Sequence, residues 1–242
     1  LVGSEMCIRD RAMAIPDVVE KADAILLTWM LGVEAGPAVA DVVYGARMPA
    51  GRLPVDFPRA TGQLPLTYSE PPSGRPANAD LSVDSNRYMD LPITPQFPFG
   101  HGLTYTKFTY GEPQLSKSAV GPMEAFDISV EVTNTGERDG EDVVQLYMRD
   151  PVSRTARPKK ELRGFKRVSI PAGQSVTVTF TLSPAQSATY DGEGSWLIEP
   201  GRLDFMIGSS SEDISGEVSV DVTGGAQTRV PAAAIETEVS VQ

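Results

Sequence analysis

The second half of the chain alternates apolar and polar residues in short segments, and this pattern constrains the fold more than any other feature. Between residues 126 and 133 every second residue is apolar, and the segment ends at Asn134-Thr135-Gly136. A period of two is typical of a strand with one buried face. The alternation recurs after Pro171-Ala172-Gly173 and after Glu199-Pro200-Gly201, at 176–182, 203–207 and 218–222.

These segments predict a β-sandwich. Together with 142–149, 162–170 and 195–198 they make roughly seven strands, which is the number expected of an immunoglobulin-like sandwich. The predicted fold class is therefore mainly β, with an immunoglobulin-like sandwich in the second half. The tail from Gly224 has no second face to bury, and we expect it to be loosely ordered.

The first half has the pattern of an incomplete α/β domain. Apolar spacing predicts helices at 15–21 and 36–44, and the run 24–29 predicts a strand buried on both faces of a parallel sheet. Residues 52–57 could form one further strand, whereas the rest of 48–98 is rich in proline and glycine and predicts ordered loop. Such a unit cannot stand as a sheet by itself. We expect an exposed apolar patch at Ile25, Leu26 and Leu27.

Residues 97–108 connect the two halves. Gly100 and Gly102 flank the only histidine, His101, and predict positive φ or close packing. This stretch predicts a packed hinge. Its expected apolar anchors are Phe97, Phe99, Leu103, Tyr105 and Phe108.

This connector and several other motifs resemble glycoside hydrolase family 3, the β-glucosidases and β-xylosidases. The matching motifs occur in family order, and they are 45–58 (GARMPAGRLPVDFP), 97–108 (FPFGHGLTYTKF), 132–136 (VTNTG), 143–147 (VVQLY), 158–165 (PKKELRGF) and 199–201 (EPG). The resemblance covers the last third of such an enzyme. It implies a truncated remnant of the family's α/β sandwich domain at 12–96, a hinge at 97–111, a fibronectin type III-like domain at 112–224 and a tail at 225–242. Residues 1–11 resemble no part of the family and are expected to be non-native, adapter-derived sequence.

The resemblance also implies a function. The parent enzyme would cleave terminal β-linked glucose or a related sugar with retention of configuration, without metal or organic cofactor. In this family the catalytic carboxylates lie in an N-terminal barrel and early in the second domain, and a barrel alone needs about 250 residues. We therefore expect the fragment to be inactive by itself, with the missing N-terminal catalytic domains as its partner and a β-linked glycoside as the parent's substrate. A periplasmic or secreted location would fit the family.

Acidic residues of the first half do not stand in a context that identifies a catalytic pair, and we assign no catalytic residue. The candidates are Glu34, Asp41, Asp56, Glu70, Asp80, Asp84 and Asp90. The resemblance suggests that Arg75, Asn78 and Arg87 belong to a loop bordering the substrate cleft, where arginine can bind hydroxyl groups. The alternative is that Arg75 and Arg87 bind backbone carbonyls and hold the loop together.

Other features have structural as well as functional interpretations. His101 has a pKa suited to acid/base chemistry, but no serine, cysteine or histidine partner accompanies it, so a packed hinge histidine is favoured. Met30, Met89, Met123 and Trp196 are interpreted as core or contact residues. A basic stretch either docks against an acidic face of the missing domains or blocks edge-to-edge sheet association. It comprises Arg154, Arg157, Lys159, Lys160, Arg163, Lys166 and Arg167.

Charge and composition exclude some classes of function. The net charge of −11 and the isoelectric point near 4.6 argue against nucleic-acid binding, which needs clustered cations. The longest apolar run is too short to span a bilayer, and a single cysteine excludes an internal disulfide.

The alternative function is a stand-alone carbohydrate-binding or adhesion module, which would present a row of exposed aromatic residues. Its candidates, Tyr147, Tyr190 and Trp196, are few and scattered in the sequence.

Overall fold

A computed structural model describes residues 11–76, 88–190, 192–224, 228–230 and 237–242. Two helices, α1 (Pro16–Lys21) and α2 (Ala35–Val43), lie in the first part of the chain. Strands follow in this order: β1 (Phe108–Tyr110), β2 (Gln114–Leu115), β3 (Ala119–Val120), β4 (Phe126–Asn134), β5 (Gly140–Arg149), β6 (Glu161–Ile170), β7 (Ser175–Leu182), β8 (Thr189–Tyr190), β9 (Trp196–Ile198), β10 (Gly201–Gly208), β11 (Ile214–Val222), β12 (Thr228–Val230) and β13 (Glu238–Val241).

The strands form the predicted sandwich. One sheet has the order β1-β4-β7-β13, with β2 also paired to β4, and the second has the order β3-β11-β10-β5-β6. A small third sheet contains β12, β9 and β8. In β4 the residues alternate as predicted, with Phe126, Ile128, Val130 and Val132 almost fully buried. They pack against apolar residues of the second sheet, so the predicted fold class is confirmed.

The two predicted helices are confirmed, but the two strands expected before residue 97 are wrong. Residues 24–29 belong to no helix or strand. A strand of a parallel sheet needs neighbouring strands, and the described chain provides none there. Ile25 and Leu26 are consequently 43% and 44% exposed, as expected of a patch without its neighbours.

Residues 52–57 make a single antiparallel bridge, Phe57 with Phe97, instead of a strand. Backbone hydrogen bonds also join Leu53 to His101 and to Gly100. Prolines 54, 58 and 98 lack the N–H groups that a continuous ladder requires. The segment is therefore attached to the connector without forming a sheet.

The end of the chain is more ordered than the sequence suggested. Glu238–Val241 forms β13, which pairs with β7, and Val239 packs against the sandwich core. The prediction of a loosely ordered tail is wrong for these residues. Their alternation of valine with polar residues is too short to be distinctive in sequence.

Candidate functional site

Strand β5 of the second sheet is buried on both faces along most of its length, because the first part of the chain packs against its outer face. Along β5, Val144, Leu146 and Met148 face the core. Gln145 and Tyr147 point to the opposite face, yet they are only 3% and 0% exposed. The connector (residues 97–108) and the proline-rich loop that precedes it (residues 48–96) cover this outer face.

Gln145 connects the connector to the sandwich by hydrogen bonds. Its side-chain nitrogen donates to the backbone oxygens of Gly100, at 3.2 Å, and of Ser209, at 2.6 Å. Its side-chain oxygen accepts the hydroxyl of Tyr147 at 2.5 Å. Gly100 has a φ of +81°, and a Cβ atom there would lie 2.1 Å from the Gln145 oxygen. Any other residue here would be strained in its backbone and would displace the Gln145 side chain, which agrees with the predicted positive φ or close packing.

Arg52 and Asp142 form a buried ion pair at the same junction. The guanidinium of Arg52 donates to the Asp142 carboxylate and to the backbone oxygen of Gly102. The other carboxylate oxygen of Asp142 accepts the Tyr110 hydroxyl at 2.8 Å. Burial and the neighbouring carboxylate raise the pKa of Tyr110 well above its ordinary value, so the phenol remains a donor. The arrangement joins residues of the loop, the connector and β5.

Asp56 holds two backbone segments together. Its carboxylate accepts the backbone N–H of Tyr68 at 2.6 Å and that of Phe99 at 2.7 Å. The side chain is almost fully buried, and this burial raises the pKa of Asp56 despite the two hydrogen bonds. Asp56 therefore has a structural role, in which it holds the backbone at Tyr68 next to that at Phe99.

Aromatic rings fill the space between these polar groups. The ring of Tyr68 stacks on Phe99, with centroids 4.2 Å apart, and meets Tyr147 edge-on at 5.8 Å. His101 stacks on Phe97 at 5.4 Å, and burial lowers the pKa of its imidazole. The stacked ring and the lowered pKa of the imidazole agree with the interpretation of His101 as a packed histidine of the connector.

The expected anchors of the connector differ in burial. Phe97, Phe99 and Phe108 are partly buried, whereas Leu103 is 79% exposed and does not act as an anchor. The ring of Tyr105 is also largely exposed, but its hydroxyl donates to the backbone oxygen of Val42 at 2.7 Å. Three of the expected anchors therefore use apolar burial, and Tyr105 uses a hydrogen bond.

The predicted cleft-loop residues are only partly described. Arg75 lies on an exposed segment, residues 71–76, and its backbone N–H donates to the Ser73 hydroxyl at 3.2 Å. Asn78 and Arg87 lie outside the described residues, as do the candidate carboxylates Asp80 and Asp84. The structure therefore gives no geometry that brings the three cleft-loop residues together.

The third buried carboxylate, Asp204, also accepts hydrogen bonds from groups of the same protein. Asp204 accepts from the side chains of Arg202 and Ser219. A shallow, open surface depression of about 320 Å³ lies at the start of α2, lined by Leu31, Gly32, Val33, Glu34, Ala35 and Ala38. Among these lining residues Glu34 is the only carboxylate, whereas glycoside hydrolysis requires two.

The basic stretch is largely paired inside the chain. Carboxylates of the described residues lie within ion-pair distance of Arg154, Arg157, Lys159, Lys160, Arg163 and Arg167. Lys159 pairs with Glu70 of the proline-rich loop, so part of the stretch docks onto the preceding part of the same chain. Arg163, Lys166 and Arg167 lie on β6, at the end of the second sheet, where cations also oppose edge-to-edge pairing.

The aromatic residues considered for a carbohydrate-binding face are not arranged in a row. Tyr147 is fully buried. Tyr190 and Trp196 are directly opposite each other on β8 and β9, with ring centroids 5.6 Å apart, which is a normal stabilising cross-strand pair. Trp196 packs against the core, as expected. Met30, Met89 and Met123 are 81%, 88% and 49% exposed and are not core residues here, so their interpretation as contact residues stays a prediction.

Two further features of the described residues bear on function. They contain no cluster of three or more histidine, cysteine, aspartate or glutamate side chains placed to hold a metal ion. None of their helices has the length and apolar character needed to cross a membrane.

The buried joint between loop, connector and sandwich was only partly predictable. Tyr68, Glu70 and Gln145 were not identified from the sequence as contact residues, and Lys159 was identified only as part of a basic stretch with missing domains as its possible partner. The one available signal was the apolar run around Gln145, which indicates a strand buried on both faces and therefore a second packing partner.

Together these contacts define a structural module, in which a fibronectin III-like sandwich is joined to a loop-rich preceding segment by hydrogen bonds, an ion pair and stacked rings. Residues 6–105 match the model of the glycosyl hydrolase family 3 C-terminal domain, and residues 142–211 match that of the fibronectin type III-like domain. The first match includes residues 6–11, so the expectation that 1–11 resemble no part of the family is wrong for these six residues. The chain therefore contains the C-terminal domain of glycoside hydrolase family 3, followed by a fibronectin type III-like domain.

Individual relatives agree with this assignment. The chain is 39% identical to the periplasmic β-glucosidase of Salmonella typhimurium over 83% of its own length and 26% of that protein's. It is 39% identical to a β-xylosidase of Formosa agariphila, of which it covers 28%. The crystal structure of the Listeria innocua β-glucosidase superimposes with a TM-score of 0.82 at 33% identity, over 88% of this chain and 30% of that one. The chain therefore spans less than a third of the length of these relatives.

Proposed function

We propose that this chain forms the non-catalytic C-terminal part of a retaining, β-glucosidase-like glycoside hydrolase. The parent enzyme would remove terminal β-linked glucose or a related sugar, and its two catalytic carboxylates would lie in N-terminal domains outside the 242 residues. The observation that carries the proposal is the ordered match of two adjacent family domains, shared with relatives named β-glucosidases and β-xylosidases.

The buried carboxylates support the non-catalytic role. Asp56, Asp142 and Asp204 are each less than a tenth exposed, and each accepts hydrogen bonds from groups of the same protein. A glycosidase needs one carboxylic acid that can protonate the leaving group and one carboxylate that faces the sugar. Groups saturated by internal donors are unsuited to either task.

In this proposal the first part of the chain, residues 12–96, belongs to the α/β domain that borders the sugar. Residues 97–111 form the hinge and 112–224 form the fibronectin type III-like domain. Arg75, Asn78 and Arg87 would lie on the loop beside the substrate, where guanidinium and amide groups can bind sugar hydroxyls.

A chimaeric enzyme tests the proposal. Residues 12–242 would replace the aligned C-terminal part of the Salmonella typhimurium periplasmic β-glucosidase, and hydrolysis of p-nitrophenyl β-D-glucoside would be followed. We expect the chimaera to be active. A chimaera that folds, by circular dichroism and a cooperative melt, but lacks activity would contradict the proposal.

A further inference from the structure

The loop that leads to Arg75 is anchored directly on the sandwich. The backbone N–H of Lys159 donates to the backbone oxygen of Glu70 at 2.9 Å, and the Lys159 ammonium pairs with the Glu70 carboxylate. The backbone N–H of Leu162 donates to the Tyr68 hydroxyl at 3.4 Å. We call these four residues the Tyr68–Glu70 anchor.

Both sides of this anchor are held by other contacts. The Tyr68 ring lies against Phe99 and Tyr147, and its backbone N–H is bound by Asp56. On the returning side of the loop, the side-chain nitrogen of Gln63 donates to the backbone oxygen of Pro92 at 3.0 Å. The anchor is thus part of a packed junction.

Arg75 is tethered to the anchor by a short segment. Five residue steps separate it from Glu70, which allow an extended reach of at most about 18 Å. Pro71 and Pro72 follow Glu70 immediately and restrict the backbone at the point where the chain leaves the sandwich. The anchor therefore limits the region that Arg75 can reach.

We infer that the fibronectin type III-like domain positions Arg75 for substrate binding, and that Tyr68, Glu70 and Lys159 are the positioning residues. The inference rests on the proposed function, in which this loop borders the sugar. It gives the sandwich a role in substrate affinity in addition to its role as a structural support. The ligand of Arg75 would be a hydroxyl-bearing pyranose of the β-linked substrate.

The side-chain pair is suited to a test because it contributes little to global stability. The side chains of Lys159 and Glu70 are 36% and 56% exposed, and ion pairs of this exposure are weak. Reversal of one of the two charges should therefore leave the fold intact, and the resulting pair of like charges should displace the loop at Glu70. A residue that only supports the fold would instead lower the amount of active enzyme, which reduces kcat and leaves KM unchanged.

Charge reversal in the active chimaera separates the two roles. We expect Glu70→Lys and Lys159→Glu each to raise KM for p-nitrophenyl β-D-glucoside about threefold to tenfold, with kcat changed less than about twofold. The double variant restores the opposite charges, and its KM should return toward the original value. Arg167→Glu is the matched control, because Arg167 of β6 forms a surface ion pair with Glu141 of β5 at 3.7 Å and neither residue belongs to the anchor, so its KM should not change.

Three results would overturn the positioning role: an unchanged KM in both single variants, a double variant without rescue, or the same rise in KM for Arg167→Glu. Amide hydrogen exchange on the 242-residue chain checks the anchor independently of catalysis. Glu70→Lys should speed exchange of the Lys159 amide, and Arg167→Glu should not. An inactive folded chimaera contradicts the proposed function, whereas an active chimaera with unaltered KM contradicts only this inference.

Discussion

Arg52 and Asp142 lie ninety positions apart in the sequence and form an ion pair that is almost completely shielded from solvent. Arg52 belongs to the proline-rich loop, and Asp142 belongs to β5 of the sandwich. Because Tyr110 and the backbone of Gly102 bind the same two side chains, the pair fixes the connector between the two parts. The junction therefore joins three separate segments of the chain through one group of polar contacts.

Removing the carboxylate should be strongly destabilising. Asp142→Ala leaves the Arg52 charge and the Tyr110 hydroxyl buried without this acceptor, and we expect a loss of about 3–5 kcal/mol in the free energy of unfolding. Urea unfolding measures it. Glu141→Ala is the matched control, since Glu141 pairs with Arg167 at the surface and should cost less than about 1 kcal/mol. Equal losses for the two neighbours would contradict the assigned role of the joint.

Gly100 should be far less tolerant than another glycine of similar backbone geometry. Gly100 and Gly173 have φ values of +81° and +72°, but only at Gly100 would a Cβ atom meet another group, the Gln145 side chain. Gly173→Ala should therefore cost about 1–2 kcal/mol from backbone strain alone. Gly100→Ala should cost more, because Gln145 must also move. Thermal unfolding of the two variants compares them, and equal destabilisation would show that the close contact is unimportant.

His101 should titrate below the ordinary histidine pKa of 6.5, because burial and the nearby Arg52 disfavour the imidazolium. As it is the only histidine, its Hε1 proton gives one unambiguous NMR titration curve. A lowered folded-state pKa means that its contribution to stability is present above about pH 6.5 and is lost as the pH falls through the folded value. His101→Phe should remove this dependence. Titration at or above pH 6.5 would contradict the packed position.

Asp56 should show the opposite dependence on pH. Burial raises its folded-state pKa above 3.8, so its contribution to stability is full below that value and is lost as the pH rises through the folded pKa. Asp56→Asn has a side chain that does not titrate in this range. The free energy of unfolding of the original protein minus that of the variant should therefore fall as the pH rises above 3.8. Urea unfolding at a series of pH values measures this difference, and a constant or rising difference would contradict it.

The sandwich could be predicted from sequence because each of its main strands carries its own signal. Phe126, Ile128, Val130 and Val132 show a period of two within one segment, and no distant residue is needed to interpret it. The positions of Gly100 and of the two helices were predictable for the same reason. These features depend on residues within one short segment, so the sequence of that segment is enough to predict them.

Contacts between distant segments could not be predicted. Nothing near Glu70 indicates that its partner is Lys159, eighty-nine positions later, and nothing near Arg52 indicates Asp142. The apolar run at Ile25 and Leu26 correctly indicated residues that seek burial, but a strand also needs neighbours, which the described chain lacks. For Arg75 the sequence supplied a loop and a residue type, and the structure adds the anchor that limits its position.

The most direct test of the central claim is the initial rate at which the purified 242-residue chain hydrolyses p-nitrophenyl β-D-glucoside, with the chimaera as the positive control. Our account predicts that the chimaera releases nitrophenol and that the chain alone does so no faster than buffer. Hydrolysis by the chain alone, rising in proportion to its concentration, would contradict the claim that the catalytic carboxylates lie elsewhere.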